Sequence, residues 1–147
     1  YKGFDFIATL QGQAGSENMI LWMRNDLPGS NIPQFLYDDR WTSENTDGSR
    51  PKAGFDPKTL TSDQMVFNGS YMRIKQLQIG YNLPGELLNR IKLKSVRVYV
   101  SLEDYFTFTS YPGMDPEAGS AINSNLGLDK GMYPVTKKAL FGISVSL

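Results

Sequence analysis

The sequence contains neither cysteine nor histidine among its 147 residues. Without cysteine the chain can form no disulfide bond, no thiolate metal site and no cysteine nucleophile. Without histidine it lacks the commonest general base and metal ligand, so a Ser-His-Asp triad cannot be assembled from this chain alone. Any catalysis would depend on carboxylates, lysine or tyrosine. We therefore expect no enzyme, no cofactor and no catalytic or metal-binding residue.

An excess of charge of either sign is also missing, because 15 basic residues balance 15 acidic ones. This balance gives no electrostatic footprint for nucleic acid, and we expect no nucleic-acid partner. No run of about 18 apolar residues exists, which excludes a transmembrane helix but not a transmembrane β-barrel, whose strands alternate. The first residues, YKGFDFIATL, include neither an initiator Met nor a signal pattern, so we expect a piece of a larger protein.

Four segments alternate between apolar and polar residues, which is the period of a β-strand with two different faces. They span residues 3–13, 71–83, 96–109 and 139–147. In the last segment, Phe141, Ile143, Val145 and Leu147 share one face, and Gly142, Ser144 and Ser146 share the other. Asp104 is the one misfit on the apolar face of the third segment. Either a β-bulge shifts the register there, or the strand has left the apolar zone by that point.

The connections between these segments are long, short and long in turn. Two apolar pieces of the first connection, NMILWM and IPQFLYDD, have the length of one or two helical turns. Long and short connections alternate in transmembrane barrels, where the periplasmic turns are short and the external loops long. We therefore predict an all-β fold of four antiparallel strands with two long extracellular loops and a periplasmic C-terminus.

Aromatic residues lie where the third segment would leave the bilayer. The set comprises Tyr105, Phe106, Phe108 and Tyr111, with Tyr71 at the matching height of the neighbouring segment. Such girdles mark the membrane interface of barrels. Four strands cannot close a barrel, for which about eight are needed, and an open sheet in lipid would leave unpaired edges. The strands are therefore predicted to form the C-terminal part of a large transmembrane β-barrel.

Several pieces of the sequence resemble one family when they are taken in order. They are YKGFDFIATLQGQAG, RWTSENT, NGSYMRIKQLQIGYNLP, RVYVSLEDYFTFTSYPGMDPE and ALFGISVSL. Together they resemble the C-terminal region of SusC/RagA-type TonB-linked outer-membrane proteins of Bacteroidetes. The resemblance runs from Tyr1 to Leu147 and is weakest between Asn18 and Tyr37 and between Ala118 and Tyr133.

This resemblance implies a barrel of about 22 strands with a plugged lumen, of which residues 1–147 would supply the last four strands. It implies an importer of large nutrients, with oligosaccharides or peptides as cargo, in the outer membrane of a Gram-negative cell. Its implied partners are TonB, which binds N-terminal to this segment, a SusD-like surface lipoprotein and the outer-membrane lipid. The barrel assembly machinery is a further implied partner, for which Phe141, Ile143, Val145 and Leu147 would be the assembly signal.

The motif RWTSENT places Trp41 beside Asn45 in the first external loop. An aromatic plane with a nearby amide suits contact with a sugar or peptide, so these two residues are candidates for binding substrate. The alternative is a tryptophan that packs within the loop and keeps it ordered, and we favour that alternative.

Other polar residues have a structural and a functional interpretation. Asp115 and Glu117 in GMDPE form either a turn, which we favour, or a cation site with backbone oxygens. We expect five polar strand residues to face the lumen, either lining the solute path or, as we favour, bonding to the plug. They are Gln11, Gln76, Gln78, Arg97 and Glu103.

Two alternatives to a transporter remain open from the sequence alone. A soluble all-β carbohydrate-binding module would bury the apolar faces against a second sheet and stay soluble without detergent. A glycosidase fragment would use paired carboxylates such as Asp115 and Glu117.

Overall fold

The computed structural model describes residues 2–23, 29–52, 62–117 and 126–146, with backbone only at 90 and 91. Seven strands occur in this part of the chain: β1 (Phe4–Gln13), β2 (Glu17–Ile20), β3 (Val66–Asn68), β4 (Tyr71–Asn82), β5 (Ser95–Thr109), β6 (Leu128–Asp129) and β7 (Lys138–Ser146). Its helices are α1 (Gln34–Asp38), α2 (Gly85–Ile91) and a 3-10 turn (Asp63–Met65). Within the described residues, no helix has the length and apolar character needed to cross a membrane.

The chain divides into two compact units. The first, which we call the sheet unit, comprises Tyr1–Gly12, Tyr71–Phe108 and Val135–Leu147. The second, the loop unit, comprises Gln13–Ser70 and Thr109–Pro134.

The sheet unit contains one four-stranded sheet in the order β1-β4-β5-β7. Its strand bounds lie within one residue of the four segments chosen from the alternating pattern, although Leu147 lies outside the described residues. The prediction of a mostly β structure with antiparallel pairing is therefore confirmed.

The β5–β7 pairing shows how the alternation builds a face. The two strands are antiparallel, and the register places Val96 opposite Val145, Val98 opposite Ile143, and Val100 opposite Phe141. β-branched and aromatic residues favour strands because they pack well against cross-strand neighbours. The apolar residues of β5 and β7 consequently form one continuous face, and the residues between them form the other.

Asp104 interrupts the regular geometry of β5. Its φ of 53° lies in the left-handed region, which single residues occupy at β-bulges. Its carboxylate oxygen Oδ1 lies 3.1 Å from Nζ of Lys75 on the adjacent strand β4. Of the two explanations for the misfit of Asp104, the structure therefore favours a local irregularity of the strand.

A short helix connects β4 to β5. Pro84 precedes α2 with a φ of −66°, which suits the start of a helix. Lys92 ends the helix in the left-handed conformation, and its backbone N–H donates to the carbonyl of Leu88. The helical turn expected near Glu86 is thus present, and it keeps this connection short.

The loop unit has a small sheet of its own, in the order β3-β2-β6. Strand β2 pairs antiparallel with β3 and parallel with β6. The interpretation of NMILWM as helical is therefore wrong, because Asn18, Met19 and Ile20 belong to β2, whereas IPQFLYDD contains α1 as expected. The buried core of the unit contains Ile20, Met23, Leu36, Met65 and Tyr111.

Candidate functional site

One face of the four-stranded sheet is apolar and exposed. The side chains of Phe6 and Phe141 are 63% and 70% exposed. Other large apolar residues exposed on these strands are Phe4, Ile7, Leu10, Met72, Ile79, Val100, Tyr105, Phe106, Phe108, Leu140, Ile143 and Val145, of which Ile7 and Leu140 occupy positions of the opposite face. Soluble monomers rarely expose contiguous apolar patches beyond a few hundred Å², and larger patches mark contact with a membrane or a partner. This face is therefore a candidate contact surface.

The opposite face carries an ion pair that spans three strands. Arg97 on β5 donates from Nε to Oδ1 of Asp5 on β1 at 3.0 Å, and from Nη2 to Oδ2 at 2.5 Å. Strand β4 lies between β1 and β5, and Gly80 occupies the position under the pair. A Cβ atom at Gly80 would lie 2.5 Å from both Nη2 of Arg97 and Oδ1 of Asp5. The absence of a side chain at this residue is what lets the two charged groups meet.

A second glycine on this face is covered by an aromatic ring. A Cβ atom at Gly142 of β7 would overlap with Cζ of Tyr99, which is opposite it in the β5–β7 register. The guanidinium carbon of Arg97 lies 5.1 Å from the centroid of the Tyr99 ring, within cation–π range. Asp5, Arg97 and Tyr99 thus form one connected layer over two glycines.

Hydrogen bonds connect further polar residues of the sheet unit. Nε2 of Gln11 donates to the hydroxyl of Tyr71 at 3.1 Å, and Nε of Arg73 donates to the hydroxyl of Thr107 at 2.8 Å. Nε2 of Gln76 lies 3.5 Å from Oε1 of Gln78. Glu103, predicted to face the lumen with Gln11, Gln76, Gln78 and Arg97, lies 3.9 Å from Nζ of Lys138. Each of the five residues is therefore engaged within the sheet, while their position relative to a lumen stays a prediction.

A buried carboxylate organises the loop unit. Oδ2 of Asp129 accepts from the hydroxyl of Tyr111 at 2.7 Å and from Nε1 of Trp22 at 3.2 Å. Oδ1 accepts from the backbone N–H of Gly131 at 2.9 Å. Burial, and secondly the bond to the Asp129 carboxylate, raise the pKa of Tyr111 above its usual range. This cluster of Trp22, Tyr111 and Asp129, which we call the Asp129 hub, joins the segment after β2, strand β6 and the segment after β5.

The hub changes the interpretation of the aromatic girdle. Tyr105, Phe106 and Phe108 are exposed, as a membrane-interface position requires. Tyr111 and Tyr71 are instead buried, the former in the loop-unit core and the latter beside Gln11. Placing these two tyrosines in the girdle was wrong, because both side chains are buried within the protein, whereas girdle residues face outward.

The motif with Trp41 and Asn45 forms a tight, ordered turn. The Asn45 side chain donates to the carbonyl of Arg40 at 3.0 Å, and its backbone N–H donates to the hydroxyl of Thr42 at 2.9 Å. The Trp41 backbone N–H donates to the carbonyl of Arg50, while its side chain is 42% exposed. The amide of Asn45 is thus engaged within the loop, whereas the ring of Trp41 is accessible. A contact of either residue with substrate stays a prediction.

Asp115 and Glu117 also lie in a turn. Oδ1 of Asp115 accepts from the backbone N–H of Glu117 at 3.0 Å, which is the bond of an Asx-turn. Among the residues with described positions, no group of three acidic side chains is arranged to hold a metal ion.

The residues predicted to be the assembly signal lie on the last strand. Phe141, Ile143 and Val145 are exposed on the apolar face of β7, and Leu147 lies outside the described residues.

Sequence reasoning missed the Asp5–Gly80–Arg97 arrangement and the Asp129 hub. The sequence does carry a signal for the Asp5–Gly80–Arg97 arrangement. Gly80 lies in the interior of one strand, and Asp5 and Arg97 are charged residues on the polar faces of two other strands.

Comparisons with known proteins identify relatives along almost the whole chain, although no family model matches it. TonB-dependent receptor P3 of Formosa agariphila is 37% identical over 153 residues, which cover 99% of this chain and 15% of the relative. TonB-dependent receptor SusC of Bacteroides thetaiotaomicron is 26% identical over 99% of this chain and 14% of its own length. The chain thus spans about a seventh of the length of these relatives.

Solved structures give the same result. A chain in the structure of the RagAB peptide transporter has a TM-score of 0.79 and 28% identity, covering 100% of this chain and 16% of its own length. A chain of the RagAB peptide importer in the open-open state has a TM-score of 0.75 and 27% identity over the same share of each chain. The chain is therefore homologous, over nearly its full length, to a segment of the TonB-dependent receptors of the SusC and RagA type.

Proposed function

We propose that this chain forms the last four strands of the barrel of an outer-membrane importer of the SusC and RagA type. The apolar face of the sheet contacts lipid, and the face with the Asp5–Arg97 pair contacts the barrel interior. The whole importer takes up oligosaccharides or peptides with energy from TonB, through parts that lie outside this chain.

The observation that carries the proposal is the contrast between the two faces of one sheet. On β7, the exposed residues Phe141, Ile143 and Val145 alternate with Gly142 and Ser144. A barrel in a membrane has an apolar exterior and a polar interior, and its strands alternate accordingly. A soluble sandwich would instead cover the apolar face with a second sheet, and no described residue of the chain buries these side chains.

The direction of the strands follows from the connections. The helix α2 makes the short turn on the periplasmic side, and the two long connections that build the loop unit lie outside the cell. With this arrangement β7 runs inward and the C-terminus is periplasmic. Phe141, Ile143, Val145 and Leu147 then provide the signal that the barrel assembly machinery reads.

The partner and the cargo follow from the relatives. The matched solved structures are of the RagAB peptide importer and the RagAB peptide transporter, and the resemblance to SusC/RagA-type proteins implies an arrangement with a surface lipoprotein. We extend this arrangement to a SusD-like lipoprotein that works with the present protein at the extracellular side. We assign cargo contact in the loop unit to Trp41, whose ring is exposed. Asn45 stabilises the loop that carries Trp41, through its hydrogen bond to the carbonyl of Arg40.

A pair of substitutions on adjacent residues tests the proposal. In the intact receptor, Ile143→Arg places a charge on the lipid side of β7, at a cost of about 2–4 kcal/mol near the bilayer midplane. Ser144→Arg places the same side chain on the other face. We expect the first variant to lower the amount of folded receptor in isolated outer membranes severalfold, and the second to lower it much less.

Equal effects of the two substitutions would contradict a lipid-facing assignment. A second observation separates the proposal from the soluble alternative. If the chain folds as a soluble monomer in buffer without detergent, the carbohydrate-binding module would become the better account.

A further inference from the structure

We propose that Lys137 binds the phosphate of a lipid headgroup in the outer leaflet, with Tyr105 and Phe106 contacting the same lipid. This inference rests on the proposed function, because it needs the apolar face of the sheet to lie in the outer membrane.

The position of Lys137 along the strand is the first argument. It precedes β7 by one residue, and it continues the odd-numbered series of Ala139, Phe141, Ile143 and Val145 that forms the apolar face. The nine residues of β7, at about 3.3 Å each and tilted by about 45°, rise about 21 Å through the bilayer. The apolar band of a barrel is about 25 Å tall. Lys137, one residue beyond the end of β7, therefore lies near the edge of this band, from where its long side chain can reach the headgroups.

The contacts of Lys137 are the second argument. Its Nζ lies 5.5 Å from the centroid of the Tyr105 ring, in cation–π range. Tyr105 in turn packs against Phe106, with ring centroids 5.5 Å apart. Phe106 and Phe108 are 41% and 54% exposed, so the ammonium group of Lys137 lies beside apolar surface that a lipid can contact. A cation held beside aromatic rings at the edge of an apolar face matches a molecule with a phosphate at one end and acyl chains at the other.

The neighbouring charges support this assignment. Lys138, the adjacent residue, lies 3.9 Å from the carboxylate of Glu103, and Lys75 lies 3.1 Å from that of Asp104. Among the residues that the structure describes, Lys137 has no carboxylate within ion-pair distance, and its side chain is exposed. The charge of Lys137 is thus available to an external anion, whereas the charges of Lys138 and Lys75 are engaged.

The test compares two lipids on the purified intact receptor in detergent. A phosphorylated glycolipid of the outer leaflet and its enzymatically dephosphorylated form are titrated separately, and the bound lipid is counted by native mass spectrometry. One lysine near an anionic headgroup contributes about 1 kcal/mol, which corresponds to about fivefold in affinity. We expect the wild type to prefer the phosphorylated lipid by about fivefold and Lys137→Gln to lose this preference. Lys137→Arg should keep it, and Lys138→Gln, the matched control, should keep it as well.

Three results would overturn the inference. The first is an equal affinity of the wild type for both lipids, and the second is a preference that survives Lys137→Gln. The third is displacement of the lipid by inorganic phosphate at equal concentration, which would assign the site to the free anion. A receptor that proves not to reside in a membrane would instead refute the proposed function, and fractionation of cells separates that failure from the other three.

Discussion

Gly80 is predicted to be the residue that holds the polar face of the sheet together. The substitution Gly80→Ala adds a Cβ atom that would lie 2.5 Å from Nη2 of Arg97 and from Oδ1 of Asp5. Both contacts are with the ends of flexible side chains, so the backbone can stay in place while the ion pair moves apart. The substitution therefore acts through the pair and leaves the strand pairing intact.

The magnitude follows from two opposing contributions. Hydrogen bonds to charged groups contribute about 1.5–3 kcal/mol when buried. Arg97 and Asp5 are 27% and 35% exposed, so solvent screening makes the loss of their pair smaller than the loss of a buried one. Alanine is favoured over glycine in a strand interior by about 0.5–1 kcal/mol. We expect the loss of the pair to exceed this preference, so that Gly80→Ala gives a net decrease in the free energy of unfolding.

The assay is urea unfolding of the intact receptor in liposomes, followed by the gel mobility of the folded barrel. A double-mutant cycle with Arg97→Ala isolates the mechanism. With the guanidinium removed, Gly80→Ala should become neutral or stabilise the receptor by a few tenths of a kcal/mol. Ser144→Ala, on the same face of β7, is the control for a small change without an ion pair. If Gly80→Ala lowers stability equally with and without Arg97, the glycine acts on the backbone and the reasoning is refuted.

Two further predictions concern the loop unit. Because the pKa of Tyr111 is raised in the folded state above its unfolded value of about 10, its contribution to stability is complete below pH 10 and decreases as the pH rises further. Resistance of the loop unit to limited proteolysis should therefore fall above pH 10 in the wild type. Tyr111→Phe should lower the free energy of unfolding of this unit by about 1–2 kcal/mol at neutral pH, and its resistance should fall less than that of the wild type above pH 10. Identical pH profiles of the wild type and the variant would contradict the role of the Asp129 hub. Trp41→Ala should weaken cargo binding to the intact receptor at least fivefold and leave the proteolysis pattern of the receptor unchanged. Asn45→Ala should alter that pattern, because it removes the hydrogen bond to the carbonyl of Arg40. If Trp41→Ala leaves cargo binding unaffected, the Trp41 ring does not contact cargo.

The four strands of the sheet could be predicted because their signal is local. Alternation with a period of two is visible within any ten residues, and the turn residues Pro84 and Gly85 mark where it stops. The same reasoning failed for β2, whose partners are β3 and β6, roughly 50 and 110 residues away in the sequence. A strand of four residues, Glu17–Ile20, is too short to show a period, and distant pairing decided its structure.

The candidate site shows the same division between local and distant information. The polar alternation identified Gln11, Arg97 and Glu103 as one class of residue, since each occupies the polar side of its own strand. The Asp5–Arg97 pair could not be predicted in this way, because it joins residues that are 92 apart in the sequence. It also depends on Gly80, which leaves room for the pair because it has no side chain. The sequence predicts Tyr111 to be in the membrane girdle because nearby residues in the sequence are aromatic, whereas its hydroxyl is paired with a buried carboxylate 18 residues later.

The central claim is that one face of this sheet contacts lipid and the other the barrel interior. Its most direct test is site-directed spin labelling of β7 in the reconstituted intact receptor, with single cysteines at positions 140 to 145. These 147 residues contribute no cysteine of their own, and any cysteine elsewhere in the receptor is first replaced by serine. Accessibility to oxygen, which concentrates in the bilayer, should be high at 141, 143 and 145 and low at 140, 142 and 144. Accessibility to a water-soluble nickel reagent should show the opposite alternation. Accessibility to both reagents without a period of two would contradict the account.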